Sequence, residues 1–116
     1  MRTQGLALVV VDGESAGRRI AVGERPVVVG RGFGVDFRIK DPTVSRHHCV
    51  FWLADGRCWV RDLGSTNRTR VNDHDVQTAE VSEGDVLVIG ETTLAISTVE
   101  NRNASTPVIR KAASGA

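Results

Sequence analysis

The sequence has no tyrosine, three phenylalanines and two tryptophans in 116 residues, so any core it forms is mostly aliphatic. Lysine is scarce as well, since thirteen of the fifteen basic residues are arginine. Long apolar runs are missing. None approaches the roughly 18 residues of a membrane span, and no basic-then-apolar signal segment opens the chain. No membrane association is therefore expected, and a cytoplasmic setting is. Two cysteines, Cys49 and Cys58, suit a compartment where thiols stay reduced. Asn103-Ala104-Ser105 matches a glycosylation acceptor, but without a secretion signal the match reads as chance. Strong net charge is absent too: the formal value is +1, which argues against nucleic-acid binding as a default. That total hides a segregation. Residues 1–70 carry twelve Arg or Lys against seven acids, and residues 71–100 carry seven acids and no Arg or Lys. Arginine suits local, bidentate recognition of an oxyanion better than lysine does.

Helical spacing of apolar residues is also absent; what is present is the period of strands. "LALVVVDG" and "RRIAVG" read as a hairpin about "ESAG", "PVVVGRG" as a short strand running into glycines, and "VDFRI" as another. "HCVFWLADGRCWVRDL" is the clearest hairpin, because Asp55-Gly56 supplies the positive φ angles of a two-residue turn. If Ala54 pairs with Arg57, then Leu53 faces Cys58, Phe51 faces Val60 and Cys49 faces Asp62. The apolar members of that face are core candidates. Trp52 then pairs with Trp59 on the other face, and the two cysteines are too far apart in register for a disulfide. "DVLVIGETTLAISTV" reads as a final hairpin about Gly90-Glu91-Thr92. Many short strands with frequent turns make an all-β sandwich or barrel. The expected domain covers residues 1–100. Residues 101–116, small and polar, read as a flexible, disordered tail.

Three stretches sit where strands meet loops: Val27–Asp36, Asp41–Phe51 and Asp62–Asp73. Loops of a sandwich gather at its ends, so these can converge. Together they offer Arg31, Ser45, Arg46, Ser65, Thr66 and Asn67, a set of guanidiniums, hydroxyls and an amide suited to an oxyanion.

Gly30-Arg31 after a strand, Ser45-Arg46-His47-His48, the "GSTN" turn of Gly64 to Asn67, and Val71-Asn72 follow one another in a known order. In order and spacing they resemble the forkhead-associated (FHA) domain family, over about residues 5–99. The resemblance implies an eleven-stranded, antiparallel-type β-sandwich that binds phosphothreonine peptides through loops at one end, with no cofactor. It also implies roles. Ser45 and Arg46 contact the phosphate, and Arg31 supports or contacts it. Thr66 lies at the phosphothreonine pocket, and Asn67 hydrogen-bonds the peptide backbone. His48 braces the loops, Gly30 permits a sharp strand-to-loop turn, and Gly64 supports the site. Ser65, Arg68 and His47 are candidate peripheral contacts. The sequence departs from the family at Arg68, where glycine usually follows the turn asparagine. A positive φ there would cost an arginine about 1–2 kcal/mol. Asp73 is a second departure, again in a turn.

Other chemistries read less well. Adjacent residues on a strand point to opposite faces, so His47 and His48 do not share a metal easily, and His74 belongs to no zinc spacing. A hydrolase built from Ser45 or Ser65 with His48 and Asp41 or Asp62 lacks a nucleophile elbow. The expected function is therefore a non-enzymatic phosphothreonine-peptide adaptor or regulator in signal transduction, downstream of a Ser/Thr kinase. The rival is a phosphate-independent interaction or oligomerisation module using the Trp52–Trp59 face. In the tail, Thr106 precedes Pro107 and stands three residues before Ile109. It is a candidate phosphorylated ligand for a second copy, because six residues from Glu100 reach at most about 20 Å.

Overall fold

Apolar residues at alternate positions, broken by turn residues, form eleven strands in the computed structural model, which describes residues 5–99. They begin with β1 (Gly5–Val10), β2 (Arg19–Val22), β3 (Val27–Gly30), β4 (Phe37–Arg38), β5 (Cys49–Ala54) and β6 (Arg57–Asp62). They continue as β7 (Thr69–Val71), β8 (His74–Val76), β9 (Thr78–Val81), β10 (Val86–Ile89) and β11 (Thr92–Val99). One sheet has the order β2-β1-β11-β10-β7-β8 and the other β4-β3-β5-β6-β9. All pairs are antiparallel except β3 with β4, which run parallel across the loop that carries Arg31. The expected tail and Thr106 lie outside the described residues.

The β5–β6 hairpin takes the expected register. Ala54 pairs with Arg57, Leu53 with Cys58, Trp52 with Trp59, Phe51 with Val60 and Cys49 with Asp62. Asp55 and Gly56 hold φ at 55° and 75°, the mirror-image turn that matches strand twist. Residues of one parity face inward. Cys49, Phe51, Cys58 and Val60 are buried with Val29 and Phe37 of the same sheet and Leu8, Leu87, Ile89, Leu94 and Ile96 of the other. Leu53 packs at the edge of this core. The tryptophans are half-buried on the outer face. Both cysteines are free and buried. Burial raises the Cys58 thiol to about 11, and burial with the nearby Asp62 carboxylate raises Cys49 further.

Two turns refine the sequence expectation. The last hairpin turns on Gly90-Glu91 alone, and Thr92 is already paired with Ile89. Between β7 and β8 a second mirror-image turn uses Asn72 and Asp73, at φ 48° and 73°. Asparagine and aspartate tolerate that region better than other non-glycine residues. Asn72 also donates to Asp85 and accepts from the Val86 amide, which ties this turn to the start of β10.

Candidate functional site

The segment from Asp41 to His48 is the hub on which three other stretches converge. The Arg31 amide donates to the Ser45 carbonyl at 2.9 Å and the Gly32 amide to the Arg46 carbonyl at 3.2 Å. The Arg31 Nε donates to the Val44 carbonyl at 2.7 Å. From the other side the Thr66 amide donates to Ser45 Oγ at 3.0 Å, and Asn67 Nδ2 to the Thr43 carbonyl at 2.8 Å. The turn before β11 joins through the Glu91 amide and the Thr92 hydroxyl, both donating to Asp41 Oδ2.

His48 is fully buried and bonded at both ring nitrogens. Its Nδ1 accepts from the Ser45 amide at 3.0 Å, and its Nε2 faces the Arg68 carbonyl at 2.8 Å. An amide only donates and a carbonyl only accepts, so the ring is neutral with its proton on Nε2. This geometry excludes the hydrolase arrangement. His48 meets the backbone of Ser45 and not its hydroxyl, and no ring nitrogen is left to act as a base.

The polar groups left over define the site. Ser45 Oγ accepts one bond and keeps its own proton to donate. Arg46 is exposed, and its guanidinium has no hydrogen bond or ion pair among the described residues. Thr66 is exposed beside Ser45, and Asn67 keeps its Oδ1 and one amide hydrogen. His47 is exposed where His48 is buried.

The structure adds detail at two of the named positions. The φ of Gly30 is not positive, and an added Cβ would clash with the Arg46 carbonyl oxygen, so glycine allows close backbone approach. Ser65 uses its donors within its own turn. Its hydroxyl and amide both donate to Asp62, so it shapes the turn. Gly64, at φ 78°, is strained for any other residue and gives its amide to the same carboxylate.

Arg68 sits at φ 66°, so the turn has not relaxed around the arginine. Its carbonyl serves His48, and its guanidinium reaches Asp75 at 3.0 Å, with Arg70 3.5 Å from the same carboxylate. This pair is exposed and worth at most about 1 kcal/mol.

Asp41 and Asp62 are the organisers that motif reading passed over. Asp62 accepts from the Gly64 and Ser65 amides and from the Ser65 and Thr69 hydroxyls. Asp41 accepts from the Thr43 amide and hydroxyl, the Glu91 amide and the Thr92 hydroxyl. Partial burial raises each pKa, but the hydrogen bonds prevail and hold both carboxyls below the usual 3.8. Aspartate two or three residues before a Gly, Ser or Thr is the local signal for such turns. Gly90, expected as a turn residue of the last hairpin, also packs on the site. At φ 62° its added Cβ would lie 2.4 Å from Thr43 Oγ1, so the β10–β11 turn packs directly on the hub.

Two grooves flank the Ser45–Arg46 anchor. One, of about 510 Å³, is lined by Thr43, Thr66, Asn67, Arg68, Asp75 and Glu91, among others. The other, of about 750 Å³, includes Arg31, Phe33, Arg38, Lys40, Arg46 and His47.

The FHA domain family model matches residues 27–90, which contain the Ser45–Arg46 anchor and the loops that carry Arg31, Thr66 and Asn67. The chain belongs to the FHA domain family. The glycogen accumulation regulator GarA of Mycolicibacterium smegmatis is 39% identical over 95 residues, 81% of this chain and 60% of that protein. The oxoglutarate dehydrogenase inhibitor of Corynebacterium diphtheriae is 38% identical over 84 residues, 72% of this chain and 59% of that protein. The chain thus spans about 60% of the length of these relatives. A solved FHA domain from a study of phosphothreonine-dependent FHA interactions aligns with a TM-score of 0.74 at 32% identity. That match covers 80% of this chain and 95% of the other. The FHA domain of FhaA, solved in complex with another protein's intracellular domain, aligns with a TM-score of 0.73 at 33% identity. It covers 78% of this chain and 98% of its own.

Two predictions concern how this FHA domain holds its loops. Carboxyls with lowered folded-state pKa values contribute stability above their unfolded value, and that stability disappears as pH falls through the folded value. Asp41→Asn and Asp62→Asn should each be less stable than the parent at neutral pH and lose less on acidification below about pH 4. Denaturant titration across pH measures this, and parallel profiles for parent and variants would contradict it. Arg68→Gly removes strain of about 1–2 kcal/mol and an exposed ion pair worth about 0.2–1 kcal/mol. A net gain of about 0.5–1 kcal/mol is expected by the same titration, with phosphopeptide affinity within about threefold.

Proposed function

We propose that this FHA domain is a phosphothreonine-peptide binding module, a phosphorylation-dependent adaptor or regulator downstream of a Ser/Thr kinase, and not an enzyme. One observation carries the reading. The Ser45 hydroxyl proton and the Arg46 guanidinium stand unengaged at the convergence of loops held to one another by hydrogen bonds. Phosphothreonine brings about −1.5 to −2 charge and three acceptor oxygens to such donors. Arg46 supplies paired donors, Ser45 a short hydroxyl donor and Arg31 further positive charge. Thr66 borders the threonine side chain, and Asn67 offers its Oδ1 and spare amide hydrogen to the peptide backbone. Burying the threonine methyl contributes only about 0.8 kcal/mol, so selection over phosphoserine also draws on the stiffness of a β-branched side chain.

The wider setting is part of the same proposal. Relatives named as a regulator and as an enzyme inhibitor support action by binding a partner protein. No helix among the described residues is long and apolar enough to cross a membrane. The two buried free thiols support a cytoplasmic setting.

Calorimetry with degenerate phosphothreonine, phosphoserine and unphosphorylated peptide pools tests the reading. The phosphothreonine pool should bind, and Arg46→Ala should weaken it on the order of thirtyfold or more, since breaking a desolvated charge pair costs about 2–5 kcal/mol. Equal binding of unphosphorylated peptides, or none by folded protein, would overturn it in favour of a phosphate-independent module on the Trp52–Trp59 face. On the same reading, phosphorylated Thr106 of one copy is a ligand for another. A phosphorylated sample that stays monomeric by mass would remove that contact.

A further inference from the structure

We propose that the groove lined by Arg31, Phe33, Arg38 and Lys40 is a second anion subsite, taking an acidic or phosphorylated side chain that flanks the phosphothreonine. The inference rests on the phosphothreonine reading of the Ser45–Arg46 anchor and adds a charge preference to it.

A peptide held by its phosphate between two grooves must send one flank into each. The grooves differ in how their charges are already used. On the Asn67 side, Arg68 and Arg70 both pair with Asp75, and Glu91 adds a further negative charge. Those cations are spoken for. On the other side Arg31, Arg38, Lys40 and Arg46 share the groove with only Glu14 and Asp41. The three ion pairs among the described residues are Arg57–Glu80, Arg68–Asp75 and Arg70–Asp75, so none of these four cations is paired. Asp41 meanwhile turns its oxygens to Thr43, Glu91 and Thr92.

Arg38 is held ready for a ligand. Its Nε donates to the Arg31 carbonyl at 3.0 Å, and its guanidinium carbon lies 4.4 Å from the centre of the Phe33 ring. With one nitrogen bonded and one face stacked, the fork is fixed, while its two terminal amino groups have no hydrogen-bond partner among the described residues. A fixed guanidinium loses little freedom on gripping a carboxylate or phosphate, and does so with two parallel bonds. Lys40 is anchored through its amide, which donates to Ser15 Oγ at 3.1 Å, and its ammonium is unpaired. Phe33 adds an independent sign of occupancy. It is 83% exposed, far more than any other large apolar side chain among the described residues. Apart from the Arg38 guanidinium, it has nothing over it that a bound peptide would not supply.

The cations also exceed what one phosphate uses. Ser45, Arg46 and Arg31 suffice for three phosphate oxygens, which leaves Arg38 and Lys40 for a neighbouring anion. Carboxylates and a second phosphate share that chemistry, and the assay separates them.

Fluorescence anisotropy would use a phosphothreonine peptide with alanine flanks. Glu, Lys or a second phosphothreonine would be placed singly at each of four positions on either side. On one side only, Glu or the second phosphate should tighten binding about two- to fivefold, and Lys should weaken it. The gain should shrink as salt rises. A gain from both substituents assigns the subsite to acidic residues in general, and a gain from phosphate alone assigns it to doubly phosphorylated partners. In Arg38→Gln/Lys40→Gln the ratio of acidic-flank to alanine-flank affinity should fall to about one. Lys40→Glu, which alters only an exposed tip, should reverse the preference toward Lys. A flat profile on both sides, with the alanine-flanked peptide still bound, would overturn the subsite and leave the phosphothreonine reading intact. An acidic preference that survives both variants would also overturn it. If the alanine-flanked peptide itself fails to bind, the phosphothreonine reading falls and the subsite with it.

Discussion

The binding end of this FHA domain depends on one buried imidazole. His48 joins the Ser45 amide, which opens the Ser45–His48 loop, to the Arg68 carbonyl, which closes the "GSTN" turn. Both partners are backbone groups, so the ring sets the distance between two chain segments without engaging any side chain that would meet a ligand. The Leu63 amide, donating to the His48 carbonyl at 2.9 Å, repeats the link one layer below. With this spacing held, the Thr66 amide reaches Ser45 Oγ. The hydroxyl is thereby oriented before any phosphate arrives. An anion site with donors already aimed loses less conformational freedom on binding.

Around that brace, two carboxylates and two glycines close the remaining degrees of freedom. Asp62 gathers four donors from its own turn, and Asp41 gathers donors from its own loop and from residues fifty positions away. Donor-rich surroundings favour the charged form of a carboxyl even when it is partly buried. The negative charges therefore stay ionised inside the loops, engaged by donors of the protein itself. Gly30 and Gly90 act by leaving space. Each lets a neighbouring backbone come closer than a Cβ would permit, against Arg46 in one case and Thr43 in the other.

What the sequence made legible follows from the range of each interaction. The β5–β6 register, the inward face and the paired tryptophans follow from one Asp-Gly turn and a period of two, both local. The residues named for the site came from family resemblance, whose short motifs keep a fixed order, and the structure brings their loops together. Periodicity alone leaves β7, β8 and β9 unread, since each is three or four residues long and the turn between β7 and β8 uses Asn72-Asp73 without glycine. The tie from Asp41 to Glu91 and Thr92 was invisible for another reason: nothing local marks which distant donors an aspartate will meet. Gly30 shows the same limit. A glycine after a strand announces an exception, but sequence does not say whether torsion or contact demands it.

Engaged and unengaged groups are separated at this end of the domain. A hydrolytic serine needs a base at its oxygen, and the His48 imidazole is consumed by two backbone bonds. Among the described residues the Arg46 guanidinium, the terminal amino groups of Arg38 and the Lys40 ammonium have no partner, and the Ser45 hydroxyl keeps a proton to donate. Such a set lowers the energy of an anion that stays intact, because every contact improves the bound ground state. Opposite the anchor, Arg68 departs from the family's glycine yet spends its charge on Asp75. That pairing removes positive field from one flank and leaves it on the other. The unequal field gives a peptide a preferred direction across the loops before any side-chain pocket is considered, since charge acts at longer range than packing.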